Sequence, residues 1–244
     1  MQDVLIAEME KCKGARLWLP ALLLPLLSAC VGALTYQMNA SLLSGPRWQS
    51  LWVQTSLFYG YFFFPMMIAI CASSLWRLEH RENNWNRMMT APVPVFSLIA
   101  AKFIVLCAVT LLEHAFFVLL TLLCGKLVFG FQEAVPPDAL AWALFGWLSA
   151  LPIAAVQLYL SMRIRSFAAP VGLALASCVV GLGVFVVSKA IPYPNTVLIV
   201  GLGAQGERTA DIAQCLRLLL TAAVYAGVSM AAATLRLRRI DIAA

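Results

Sequence analysis

"VQTSLFYGYFFFPMMIAICASSL", from Val53 to Leu75, carries no charged residue, and "WRLEHRENNWNRMMTAPVP", from Trp76 to Pro94, follows it directly. The first stretch is long enough to cross a hydrocarbon core as a helix, which needs about 20 apolar residues. The second holds five Arg or Glu side chains among the eleven residues from Arg77 to Arg87, and a new apolar run begins at Val95. The question is what a compact, mixed-charge segment does between two hydrophobic blocks.

The rest of the chain sets the context. Of 244 residues, 62% are hydrophobic and 11% charged, where soluble domains carry about 25% charged residues. A soluble chain this poor in charge could not cover its surface, so the solvent is lipid and the class is an all-α integral membrane protein. Six apolar blocks have the required length: 17–36, 53–75, 95–124, 139–160, 168–187 and 212–235. They form one transmembrane domain, 1–244, with no connection long enough for a soluble domain and no internal repeat.

Net charge is +6, but the basic residues sit in short clusters between apolar runs rather than in a nucleic-acid-binding stripe. Lys11, Lys13, Arg16, Arg77, Arg81, Arg87, Arg163, Arg165, Arg236, Arg238 and Arg239 fall on one side, against Arg47, Lys126, Lys189 and Arg208 on the other. The excess of positive charge on cytoplasmic connections then places both termini in the cytoplasm. Trp48, Trp52, Trp76 and Tyr193 fall near the expected interfaces. The seven cysteines make no CxxC pair and mostly lie in apolar runs, so they read as buried thiols; two histidines are too few for a histidine-based zinc site.

Residues 2–13 are expected to form an amphipathic helix on the inner membrane surface, with Val4, Leu5 and Met9 toward lipid. Leu27-Ser28-Ala29-Cys30 resembles a lipoprotein processing site. Against processing, sixteen residues precede the apolar run, and that run continues through Leu34.

Two further patterns invite function. Gly201-Leu202-Gly203-Ala204-Gln205-Gly206 spells a dinucleotide fingerprint, but no acidic residue follows at the required spacing and no parallel sheet can flank it. It reads as a flexible outer loop, in a connection from about 188 to 211 that has room for one short helix or a re-entrant piece. Glu113 and His114 lie in the middle of the third apolar block, where ionisable groups face a bundle interior and find partners. They are either a polar spot on a substrate path or a hydrogen-bonded structural pair. Lys102 shares a face with Glu113 but sits about 16 Å away along the axis, and Arg217 is another candidate partner. No nucleophile–base set, metal cluster or Walker motif is visible, so catalytic and metal residues are none.

On a helical wheel, Leu75, Leu78, Trp85, Met88 and Met89 fall within an arc of roughly 140°, and Glu79, Asn83 and Asn86 within about 60° on another side. Residues 76–90 thus read as a surface helix, stopped by Pro92 and Pro94. Its charges are balanced, Arg77, Arg81 and Arg87 against Glu79 and Glu82, which suits a protein partner better than lipid head groups alone.

Glu79, His80, Arg81, Asn84, Trp85, Met88, Met89, Thr90 and Pro92, together with Lys102-Phe103 and with Glu8 and Lys11 before the first span, resemble the permease subunits of ABC exporters. More narrowly they resemble the lantibiotic-immunity (LanFEG-type) permeases. The resemblance implies that 76–90 is a cytoplasmic coupling helix between spans two and three. Glu79, His80, Arg81, Glu82, Asn83, Asn84, Trp85 and Arg87 would then meet a separate ABC ATPase subunit. ATP and Mg would be held on that partner, with no cofactor in this chain. A second permease chain, the same or paralogous, would complete the pathway in a bacterial cytoplasmic membrane. The implied cargo is a cationic, amphipathic antimicrobial peptide, expelled for self-immunity. Two alternatives stay open: an ABC permease for another drug, lipid or polysaccharide, and an ATP-independent secondary transporter or membrane scaffold.

Overall fold

The computed structural model describes residues 2–14, 17–43, 45–80, 93–204 and 212–240, and all regular structure among them is helical. In chain order the helices are α1 (Gln2–Gly14), α2 (Trp18–Asn39), α3 (Arg47–Phe58), α4 (Phe64–Arg77), α5 (Val95–Leu123), α6 (Asp138–Arg163), α7 (Ala168–Val187), α8 (Pro194–Gly201) and α9 (Ile212–Ile240). Six stretches are long and apolar enough to cross a membrane: Trp18–Asn39, Arg47–Arg77, Val95–Val128, Asp138–Arg163, Ala168–Val187 and Ala213–Leu237. They correspond to the six apolar blocks of the sequence. Their outward faces are apolar, as at Leu22, Leu26, Leu112, Val179, Val186, Leu220 and Val228, all exposed.

The largest shift in a boundary is in the second span, which starts at Arg47 rather than Val53. Gln49, Ser50 and Gln54 interrupt the apolar run, yet the turn they share carries Trp48, Leu51 and Trp52 into the protein. Trp48 meets Phe131 edge-on at 5.0 Å, and Trp52 stacks on Trp142 at 5.0 Å. Aromatic packing supplies what the apolar pattern lacks.

Between α3 and α4, Tyr59–Phe63 widens into a π-helical turn in which the Phe64 N–H donates to the Tyr59 carbonyl. Pro65 follows and has no N–H to continue an α-helical ladder. Wide turns of this kind shift the register of every side chain beyond them. Here the shift leaves Tyr59, Tyr61 and Phe64 all buried.

The second span is the most enclosed: 67% of its most apolar window is buried, against 22% for the first. It packs against α2, α6 and α7, while α6 also holds α8 and α9. Helix α1 lies against α5 and α4 at one end of the bundle. Its Leu5 packs into the core and Val4 is half-buried, whereas Ile6 and Met9 are exposed, so the expected lipid-facing set divides.

The connection after α7 differs from expectation. Helix α8 is buried, its Asn195 accepting a hydrogen bond from Ser177 Oγ (2.8 Å) and its Thr196 donating to the Gly181 carbonyl (3.3 Å). Leu202 and Ala204 are buried as well, and Trp52 Nε1 donates to the Leu202 carbonyl at 2.7 Å. Residues 201–204 are therefore a packed plug, not a flexible outer loop; 205–211 lie outside the described residues.

Helices α2 and α3 approach so closely that a Cβ on Gly32 would collide with the backbone of Thr55. Ser28 Oγ donates to the Thr55 carbonyl at 3.3 Å in the same contact. Gly32→Val should force the two spans apart and cost about 1–3 kcal/mol, the usual range for overpacking. The check is a lowered midpoint of thermal unfolding in detergent, with Ala33→Val, on the less buried neighbouring position, as the control.

Candidate functional site

Lys102 is an ammonium with nowhere to reach water. It sits two turns into the most apolar of the spans and is fully buried. Such a charge has to be answered inside the protein or the helix cannot dock. Three acceptors answer it: Glu8 Oε2 at 2.6 Å, Glu79 Oε1 at 2.8 Å and the Leu75 carbonyl at 2.6 Å. An ammonium has three hydrogens, so its donor capacity is filled. Lys11 closes the cluster from the outside, donating to Glu8 Oε1 at 2.6 Å and Glu79 Oε1 at 2.8 Å. The Lys102 ammonium also lies 4.7 Å from the Trp76 ring centre.

Two carboxylates and two ammoniums thus form a neutral clamp joining α1, the end of α4 and the start of α5. Burial alone would push the Glu79 carboxyl up, but the Lys102 ammonium, helped by Lys11, outweighs it and holds Glu79 below its ordinary value of 4.5. Burial likewise works against the charge on Lys11, yet hydrogen bonds to Glu79 and Glu8 raise its ammonium above 10.5.

A second polar group lies deeper. Tyr59, at the start of the π-helical turn, donates its hydroxyl hydrogen to Glu113 Oε2 at 3.1 Å and meets His114 Nδ1 at 3.2 Å. Its ring stacks on Phe117, with centres 3.7 Å apart and planes 2° from parallel. Glu113 Oε1 is buried without a hydrogen-bond partner among the described residues, as is Glu79 Oε2 in the clamp, and the His114 ring lies against the backbone of Trp142 and Ala143. Room for His114 comes from Gly146, where a Cβ would stand 2.6 Å from Nε2 and 2.8 Å from Leu202 Cδ2. The plug after α8 therefore abuts this polar group.

The structure separates residues that the sequence had placed on one polar site. Lys102 turns toward the basic end and the two carboxylates there, while Glu113 and His114 pair with Tyr59. Arg217, the other proposed partner of Glu113, is exposed. The separation follows from helix rise: eleven residues put Lys102 and Glu113 about 16 Å apart. Of the expected coupling residues, Glu79 is in the clamp and His80 Nε2 lies 2.9 Å from the Ser161 carbonyl. Arg81, Glu82, Asn83, Asn84, Trp85 and Arg87 lie outside the described residues. Tyr59 escaped sequence reading because nothing distinguishes it from Tyr61 until the wide turn fixes its direction. Glu8 was more accessible: an isolated lysine in an apolar span demands acids at the same depth, and Glu8 and Glu79 are at that end.

Residues 4–181 match the family described as ABC-2 family transporter protein. The chain belongs to that family. The match runs from α1 into α7 and includes the clamp, residues 81–92 and the Tyr59–Glu113–His114 group; α8 and α9 lie beyond it. No curated protein and no solved structure shows significant similarity to the chain. As an ABC-2 protein it is the membrane subunit of an ABC transporter, partnered by an ABC ATPase.

The clamp predicts a signed pH response. A carboxyl held low in the folded state contributes stability that is complete above its unfolded value and is lost as pH falls through the folded one. The thermal midpoint should therefore fall on acidification below about 4.5, and Glu79→Gln should flatten that acid limb. Lys102→Met leaves two facing carboxylates buried, at a cost of roughly 3–5 kcal/mol. It should lower the midpoint more than Lys126→Met, which removes an amine from the opposite end of α5.

Proposed function

We propose that this ABC-2 subunit expels a cationic, amphipathic peptide of the lantibiotic type, with 76–90 as the coupling helix for its ATPase. The carrying observation is the clamp. It ties the entry to 76–90, through Glu79, to the N-terminal helix and the third span at once. A push on the segment that follows His80 would then reach α1 and α5 together, because removing any one charge strands the others. This assigns Glu79 a positioning role within the subunit, and leaves Arg81, Glu82, Asn83, Asn84, Trp85 and Arg87 to face the ATPase. A second permease chain completes the pathway, with both termini in the cytoplasm of a bacterium. Support for the peptide cargo is the resemblance of Glu79–Pro92, Lys102, Glu8 and Lys11 to immunity permeases.

Coupling and cargo are tested separately. Arg81→Ala with Trp85→Ala, which leaves the clamp untouched, should reduce recovery of a Walker-motif ATPase with the tagged subunit severalfold at unchanged membrane abundance. Unchanged recovery would remove 76–90 from the interface. Deleting the gene should sensitise the cell to cationic amphipathic peptides and leave its tolerance of neutral drugs intact; the reverse pattern would favour another cargo. Glu113→Gln should preserve folding, since an amide oxygen can still accept from Tyr59. It should alter peptide tolerance if the group lines the path.

A further inference from the structure

The clamp is neutral, so the net positive charge at that end of the bundle must lie elsewhere. Part of it surrounds a cavity of about 160 Å³ between the ends of α4, α6 and α7. Ser73, Arg77, His80, Ser161, Arg165 and Ser166 supply its polar lining. Arg77 lies with its guanidinium 5.6 Å from the Phe167 ring centre, and neither it nor Arg165 pairs with a carboxylate among the described residues. Both are exposed toward the cavity mouth. No acidic residue among the described ones lines the cavity, and Glu79, beside His80 in sequence, is turned onto Lys102 and Lys11.

The uncharged groups are also set to donate. Ser73 and Ser161 share one hydrogen bond of 3.2 Å, which consumes a single hydroxyl hydrogen and leaves the other free. Ser166 Oγ, two residues before α7, accepts from the Ala169 N–H at 3.3 Å, which leaves its own hydrogen available to donate. The first turn of α7, a helix of 20 residues, opens beside these groups with its positive end. Among the described residues, two guanidiniums without a carboxylate partner, donor hydroxyls and no lining carboxylate disfavour both a metal cation and an apolar occupant. They match a tetrahedral oxyanion, which arginine binds in bidentate fashion.

Its position selects the source of that anion. The cavity lies at the ends of three spans, at head-group level, and basic pockets between spans on the cytoplasmic side bind anionic head groups. Beyond the cavity, α7 presents Leu175 and Val179, both exposed and one turn apart on one face, along which an acyl chain can lie. We propose that this pocket binds the phosphate of an anionic phospholipid from the leaflet at the basic end of the bundle. The head group would then touch Arg77 and His80, in the opening residues of 76–90, so lipid occupancy would steady the start of that segment. The inference is independent of what cargo the transporter carries.

Binding is read on the full chain in neutral detergent by native mass spectrometry. The chain is titrated with phosphatidylglycerol and with phosphatidylcholine of the same acyl chains. The wild type should retain phosphatidylglycerol severalfold better. Arg77→Ala with Arg165→Ala should abolish the preference, and Arg77→Lys with Arg165→Lys should keep part of it. Ser166→Asp keeps an oxygen acceptor for the Ala169 N–H, while placing a carboxylate in the cavity. It should also abolish the preference at an unchanged unfolding midpoint. Equal retention of the two lipids by the wild type, or a preference that survives both the double alanine and Ser166→Asp variants, overturns the proposal. Displacement of phosphatidylglycerol by inorganic phosphate at equal concentration would assign the pocket to free phosphate and overturn the lipid assignment.

Discussion

A lysine taken wholly out of water at the start of an apolar span constrains everything around it. Lys102 can stay charged there only if acids come to it, and they come from two other elements: Glu8 from α1 and Glu79 from the residues just after α4. Breaking a buried pair by removing one partner costs far more than the pair contributes to stability, because the orphaned charge remains in low dielectric. The three elements are therefore locked together even though the net stabilisation is modest. A helix as short as α1, which would be marginal alone, is held in one place by this arrangement.

Lys102 and Glu113 sit on one helix and illustrate two ways of burying charge. At Lys102 every donor is used, with distances of 2.6–2.8 Å. At Glu113 one oxygen is engaged at 3.1 Å and the other is not, as also holds for Glu79 in the clamp, where Oε2 is left over. Partly satisfied polar groups of this kind are costly in the conformation that leaves them so. The same region carries the wide turn Tyr59–Phe63 and the glycines at 60 and 146, against which Leu202 packs.

The six spans were legible because each demands some 20 apolar residues in a row, and no soluble alternative could hide so much apolar surface. Polar partners were not legible to the same degree, for a physical reason. A sequence shows that Lys102 and Glu113 share a helix face, but which groups surround each depends on how other helices cross at that depth. The direction of Tyr59 depends on a wide turn that leaves no compositional mark beyond Pro65. The plug at 201–204 was hidden for a different reason: its glycines resemble those of any outer loop, and only burial of Leu202 and its bond to Trp52 distinguish it. The start of the second span was misplaced by six residues, because Trp48 and Trp52 offset the polar residues between them only once Phe131 and Trp142 are in position.

A rigid joint at one end and an incompletely satisfied group farther along the same helix imply where motion can be expressed. Under the proposed coupling role, a displacement delivered after His80 would strand charge if it were absorbed in the clamp, and would instead pass into α4 and α5 as units. Those two helices meet again at Tyr59, Phe64, Glu113, His114 and Phe117, where ring stacks and two hydrogen bonds above 3 Å are the contacts to be rearranged. Sliding stacked rings costs little compared with separating buried ions, since each stack is worth about 0.5–1.5 kcal/mol beyond its area. Leu202 sits on this group through Gly60 and Gly146, and its carbonyl is held by Trp52. Any shift at Tyr59 therefore bears on Leu202 and on the Trp52 bond that holds 201–204 in place.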